Sequence, residues 1–156
     1  MKLTTLASIS LNLIIASSMV WAGTISVTDH LEAEYKIAQT QINKSVRDHR
    51  AQEIECLALN IYWETKAVSL ADGMAVSDVV MNRVKDSRFP SSVCGVVKQA
   101  NKDSNGNIIK HKCQFSWFCD GKADVPKNVE AWERSRKLAR DIYIDKDYIG
   151  ITEGAT

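Results

Sequence analysis

The sequence predicts an α+β domain, mostly helical, with a small β-hairpin lobe and a cleft where the two lobes meet. Three observations carry this expectation. Apolar residues recur at helical spacing in several separate stretches. One polar stretch holds an Asn-Gly pair between strand-like flanks. Helices set apart from a single hairpin define the α+β class. The chain has 156 residues, 45% apolar and 25% charged, an ordinary globular balance that supports a single core.

The elements follow in order. Residues 29–52 are polar, with a thin stripe at Leu31, Ala38, Ile42 and Val46, and read as a solvated helix or linker. Ile54, Leu57, Ala58 and Ile61 give residues 53–65 one buried face. Ser69 with Asp72 three positions on marks the cap of a second helix, whose stripe runs Leu70, Met74, Ser77, Met81 and Val84 to the break at Phe89-Pro90. Residues 92–98 form a short helical turn. Residues 101–107 contain Asn105-Gly106 as a turn, flanked by 108–109 and 113–118 as the best hairpin candidate. A last helix follows Pro126, with Val129, Trp132, Ala139 and Tyr143 on one face.

The N-terminus reads as an export signal. Lys2 precedes an uncharged stretch rich in Leu, Ile, Ala and Ser, and Val20-Trp21-Ala22 predicts cleavage before Gly23. The competing reading is an uncleaved anchor, against which Asn12 and several serines weigh. The formal charge is +1; loss of Lys2 leaves nineteen basic against nineteen acidic residues, a net charge of zero. No basic excess argues for nucleic acid. Cys56, Cys94, Cys113 and Cys119 fit an oxidising compartment and allow three pairings, between which the sequence does not choose. A zinc site at His111, Cys113 and Cys119 would lack any CxxC pair, so no metal is expected.

Glu64 is the first candidate for chemistry. It borders the buried helix face beside Tyr62 and Trp63, where lost hydration would raise its pKa and suit it to general-acid work. The plain alternative is a solvent-facing glutamate near a helix C-terminus, and position alone leaves the two even. Gln114-Phe115-Ser116-Trp117-Phe118 mixes flat aromatic faces with amide and hydroxyl groups, as sugar-binding surfaces do; on a hairpin, alternate residues would face opposite sides. Core packing is the competing account for at least half of them. Arg83 reads first as a helix-end residue and second as a substrate contact. No Gly-x-Ser-x-Gly elbow is present, and Cys56 lies mid-helix, which disfavours nucleophile schemes.

At these residues the chain resembles the spore-cortex-lytic (SleB-type) cell wall hydrolase family. The run from Leu57 to Glu64 looks like the family's opening helix with its tyrosine and glutamate. Gly73-Met74-Ala75-Val76 and Val80-Met81-Asn82-Arg83-Val84 resemble its second helix. Arg88-Phe89-Pro90, Val93-Cys94-Gly95-Val96-Val97 and Gln114-Phe115-Ser116-Trp117 follow in the same order, so that the likeness covers about residues 53–145. Thr65 and Lys66 depart from the small residue and arginine frequent there. Residues 150–156 look like the start of a closing segment that continues in the family, which reads as a C-terminal truncation. The resemblance implies a lysozyme-like helical lobe, peptidoglycan glycan strands as substrate and Glu64 as the essential acid. Tyr62, Gln114, Phe115, Ser116 and Trp117 are the residues expected on the substrate side.

The expected organisation is a signal peptide at 1–22, a polar helical linker at 23–52 and a catalytic domain at 53–156. The protein would be secreted or periplasmic, monomeric, without cofactor and without stable membrane insertion. Asp103, Asp120 and Asp124 are the carboxylates near the hairpin that could serve a two-carboxylate hydrolase, but none has a setting like that of Glu64. The preferred scheme is therefore a lytic transglycosylase. The alternative is an exported peptidoglycan-binding or assembly protein that does not cut.

Overall fold

A computed structural model describes residues 4–66, 69–146 and 150–156, with side chains from residue 28 onward. The chain forms two units, Met1–Arg47 and Asp48–Thr156. Helix α1, Thr4–Thr65, contributes to each. In the first unit Leu31, Ile42 and Val46 are more than half exposed, so the thin stripe buries nothing there. The side chains of the expected signal segment, residues 1–22, lie outside the described set. Among the described residues no helix is long and apolar enough to cross a membrane.

The second unit contains the core. Its helices are the end of α1, α2 (Leu70–Lys85), α3 (Val93–Val97) and α4 (Val129–Arg140). Cys56, Leu57, Ala58 and Ile61 of α1 pack with Val80 of α2, Val93, Val96 and Val97 of α3, and Leu138 and Ala139 of α4. Each later helix begins on a side-chain cap. The Ser69 hydroxyl accepts from Asp72 N, Ser92 from Gly95 N, and the Asn128 carbonyl from Ala131 N. The chain past α4 widens into a π-helical turn, Asp141–Asp145, which buries Ile142 and stops at Lys146 in the left-handed region.

Two stripes depart from the sequence expectation at their first residue only, while Met74, Met81 and Val84 of α2, Trp132 of α4 and Tyr143 beyond it pack against the core. Leu70 and Val129, each at the first position of its helix, are exposed. The buried positions are Gly73, Ser77, Asp78 and Val80 on α2 and Ala131, Ser135, Leu138 and Ala139 on α4. Small residues face inward because these helices pack closely: a Cβ on Gly73 would lie 2.7 Å from Leu138 Cδ2. Shape thus overrides hydrophobicity at these positions.

The hairpin also differs. Its turn is the expected one: Asp103 Oδ1 accepts from Asn105 N and Asn107 N, and Gly106 takes a positive φ. The strands, however, are β1 (Ala100–Lys102) and β2 (Ile108–Cys113), paired antiparallel with an irregularity between the Ala100–Cys113 and Lys102–Ile108 partners. The stretch after Cys113 is not a strand. It closes into a 3-10 turn, Ser116–Cys119, because Cys113 and Cys119 are joined by a disulfide that draws the segment back on itself. Alternation of faces therefore does not apply to Gln114–Phe118. A second disulfide, Cys56–Cys94, ties α1 to α3. Together they select one of the three possible pairings.

Candidate active site at the end of helix α1

The last turns of α1 place Asn60, Tyr62, Trp63 and Glu64 in succession. Asn60 is wholly buried, and its Oδ1 accepts from Trp117 Nε1 at 3.1 Å. Trp63 stacks on Trp117 with ring centres 6.5 Å apart. Tyr62 meets Trp63 and Trp132 edge to face, and its hydroxyl accepts from Lys127 N and Asn128 N, both at 3.1 Å. The tyrosine thereby anchors the entry to α4 against the helix that carries Glu64. Apart from the Tyr62–Trp63 pair, each contact joins residues distant in sequence, so the end of α1 is held from several sides.

Glu64 itself is accessible to solvent, yet burial of its carboxyl group raises its pKa. Among the described residues no ion pair or side-chain hydrogen bond stabilises its charged form. It occupies the last turn of its helix, where the dipole offers a carboxylate nothing and the turn carries no basic residue. A carboxyl in this setting keeps its proton further toward neutral pH than a free glutamate. Two donors on the same helix stretch, Asn60 Nδ2 and Trp63 Nε1, are buried without a partner among the described residues.

The residues expected to face a sugar fall into two groups. Gln114 and Ser116 are exposed and Phe115 is half-buried, with Gln114 N donating to Gln99 O at 2.8 Å. Trp117 is only 7% exposed and Tyr62 is half-buried; both are held from inside by the bonds above. The structure joins this segment to α1 through Trp63, Asn60 and Trp117, and to α2 through Arg83. The Arg83 guanidinium lies 5.3 Å from the Phe89 ring centre and 5.8 Å from that of Phe115, and burial lowers its pKa. The helix-end carbonyls of Asn82 and Arg83 receive Asp86 N instead of the Arg83 side chain.

The three aspartates near the hairpin divide as well. Hydrogen bonds from Asn107, then from Asn105 and Gly106, hold the Asp103 carboxyl low, and bonds from Lys122 do the same for Asp120. Asp124 is half-buried and raised, by burial first and the Asp120 charge second. Cys113 and Cys119 spend their sulfurs on each other and cannot act as thiolate ligands.

Sequence reasoning missed Glu53, Asn60 and Asp78. Glu53 is buried and its carboxylate accepts from Val93 N and Cys94 N at 2.6 and 3.3 Å, fastening α3 to α1. Asp78, 1% exposed, accepts from Gly150 N, Thr152 N and the Thr152 hydroxyl, while Asn82 Nδ2 reaches Thr152 and Ala155 O. The available signal was their spacing. Glu53, Leu57, Asn60 and Glu64 fall on one helical stripe, so polar groups interrupt an otherwise core-facing row.

An α+β domain tied by two disulfides fits a protein that works in an oxidising compartment outside the cytoplasm. A family model described as Cell Wall Hydrolase matches residues 69–156, more than half of the chain, and the chain belongs to that family. The match supports peptidoglycan as substrate and a hydrolase in the broad sense. It begins beyond the end of α1, so Glu64 lies outside it. No curated protein and no solved structure matches the chain.

Proposed function

We propose that this protein is an exported enzyme that cuts peptidoglycan glycan strands between N-acetylmuramic acid and N-acetylglucosamine, as a lytic transglycosylase with Glu64 as its single catalytic carboxyl. The observation that carries the reading is the Glu64 carboxyl, raised by burial and unpaired with any cation among the described residues. Protonated Glu64 donates to the glycosidic oxygen as the bond to the muramic C1 breaks. The 6-hydroxyl oxygen of the same sugar then bonds to C1, and its proton passes to ionised Glu64, which is thereby restored. Donor, acceptor and nucleophile are all accounted for without a metal or cofactor.

Commitment of two of the three hairpin aspartates to local turns supports transfer to the sugar's own hydroxyl over attack by water. Two-carboxylate hydrolysis needs a partner across the ring. Asp103 and Asp120 are committed to their local turns. Proximity of an internal hydroxyl replaces the missing group. In this scheme Gln114, Phe115 and Ser116 meet the glycan, and Tyr62 and Trp117 shape the wall behind them. The enzyme acts as a monomer, with residues 1–22 removed on export, 23–52 as a linker and 53–156 as the catalytic domain.

Mass spectrometry of the digest tests the scheme. Fragments ending in 1,6-anhydro-N-acetylmuramic acid, lighter by one water than reducing-end fragments, are expected. A digest with reducing ends alone would refute transfer and bring Asp124 forward as the partner carboxylate.

A further inference from the structure

Several turns back along α1, His49, Arg50 and Glu53 form one wall of a cavity of about 480 Å³. At the α-helical rise, Arg50 lies about 21 Å along the helix axis from Glu64, so this cavity is separate from the catalytic carboxyl. Met81, Val84 and Val93 give it an apolar floor, and Ser91, Ser92, Tyr143, Ile144 and Lys146 complete the lining.

The polar groups of this cavity are unbalanced in one direction. Glu53 is its one carboxylate, and both its oxygens already accept from Val93 N and Cys94 N. The opposing groups are Arg50, Lys146 and His49. Among the described residues Arg50 and Lys146 have neither an ion pair nor a side-chain hydrogen bond, whereas Arg134 and Lys137 on α4 are paired. Burial, reinforced by the Glu53 charge and opposed by Arg50, raises the Tyr143 hydroxyl, which stays neutral and able to donate. The Ser92 oxygen accepts from Gly95 N and leaves its own O–H free to donate. N–H and O–H donors thus outnumber the single carboxylate around an apolar floor. With a net charge near zero, the cluster is local and not an expression of a basic protein.

We propose that this cavity binds a carboxylate of the peptide stems that branch from the glycan strand. A small aliphatic residue would lie on Met81 and Val84, and its carboxylate would take the Arg50 and Lys146 donors. A phosphate would gain the donors but leave the apolar floor unused. The inference rests on peptidoglycan being the substrate. It adds a handle distant from the bond that is cut, which strengthens binding equally in ground and transition states and so acts on KM and not on kcat.

The test is calorimetric titration of the full chain with a free-acid stem tetrapeptide ending in a small aliphatic residue, L-Ala-γ-D-Glu-L-Lys-D-Ala, and with the same peptide carrying its carboxylates as amides. The acid should bind about tenfold more tightly than the amide, and R50A/K146A should lose the same factor, as expected for two exposed charge-assisted contacts. Both residues are exposed, and the acid-versus-amide comparison needs no variant. On intact sacculi the double variant should raise KM about tenfold at unchanged kcat, which two lost charge contacts account for. Equal binding of acid and amide, or of wild type and variant, would overturn the proposal. If the wild-type chain cuts no glycan, the catalytic reading fails while the titration still decides this one.

Discussion

The two disulfides differ in what they constrain, and their removal should separate them. Cys56–Cys94 spans 38 residues and joins α1 to α3; Cys113–Cys119 spans 6 and closes only the turn after β2. From loop-closure entropy, these separations correspond to about 3.9 and about 2.2 kcal/mol of stability. Alanine is the suitable replacement, since Cys56 is buried and serine would bring a hydroxyl into the core. Urea unfolding followed by the fluorescence of Trp63, Trp117 and Trp132 reads both. C56A/C94A should lose about 4 kcal/mol, a large share of the stability of a domain of this size, and C113A/C119A about 2. The m-value should rise more for the longer loop, because its unfolded chain opens further. An equal or larger loss from the short bridge would refute the reasoning, as would a long-bridge variant within about 1 kcal/mol of wild type.

Two further predictions concern carboxyl groups of opposite character. Burial opposes the ionised form of Asp78, but bonds from Gly150 N, the Thr152 hydroxyl and Thr152 N outweigh it and hold the folded pKa low. Its contribution is therefore present above the unfolded carboxylate pKa and lost as pH falls through the folded value. Asp78→Asn should cost about 1.5–3 kcal/mol at neutral pH and little in strong acid; a loss that persists unchanged in acid contradicts this. Glu64, with its raised folded pKa, binds more protons folded than unfolded, so its ionisation costs stability as pH rises through that window. The alkaline limb of kcat/KM should fall above the ordinary glutamate range and vanish from the profile in any residual activity of E64Q. A limb at or below that range would count against Glu64 as the acid.

The parts of the fold legible in the sequence were those encoded locally. Ser69 with Asp72 and Asn105-Gly106 each describe one cap or turn, and the chain uses them so. The strand partner was misread because the pairing of Ala100–Lys102 carries no local mark, while the aromatic run after Cys113 looks like a strand until its disulfide bends it. Leu70 and Val129 misled for a different reason. A helical stripe reports hydrophobicity, whereas the α2–α4 contact is set by how close Gly73 comes to Leu138. At the candidate site the glutamate and its aromatic neighbours could be read from adjacency in sequence. The bond from Trp117 to Asn60 and the clamp of Asp78 on Thr152 could not, since each spans more than fifty residues.

The central claim is that the Glu64 proton drives glycan cleavage while the carboxyl contributes nothing the fold needs. Glu64→Gln keeps the shape and removes the acid, and loss of a general acid typically lowers the rate by about 10²–10⁴-fold. The decisive measurement is the rate of peptidoglycan solubilisation by wild type and E64Q, taken with their melting temperatures. The account predicts a collapse of cleavage by at least about a hundredfold at a melting temperature equal to or slightly above wild type. An E64Q protein that solubilises peptidoglycan at the wild-type rate would contradict it.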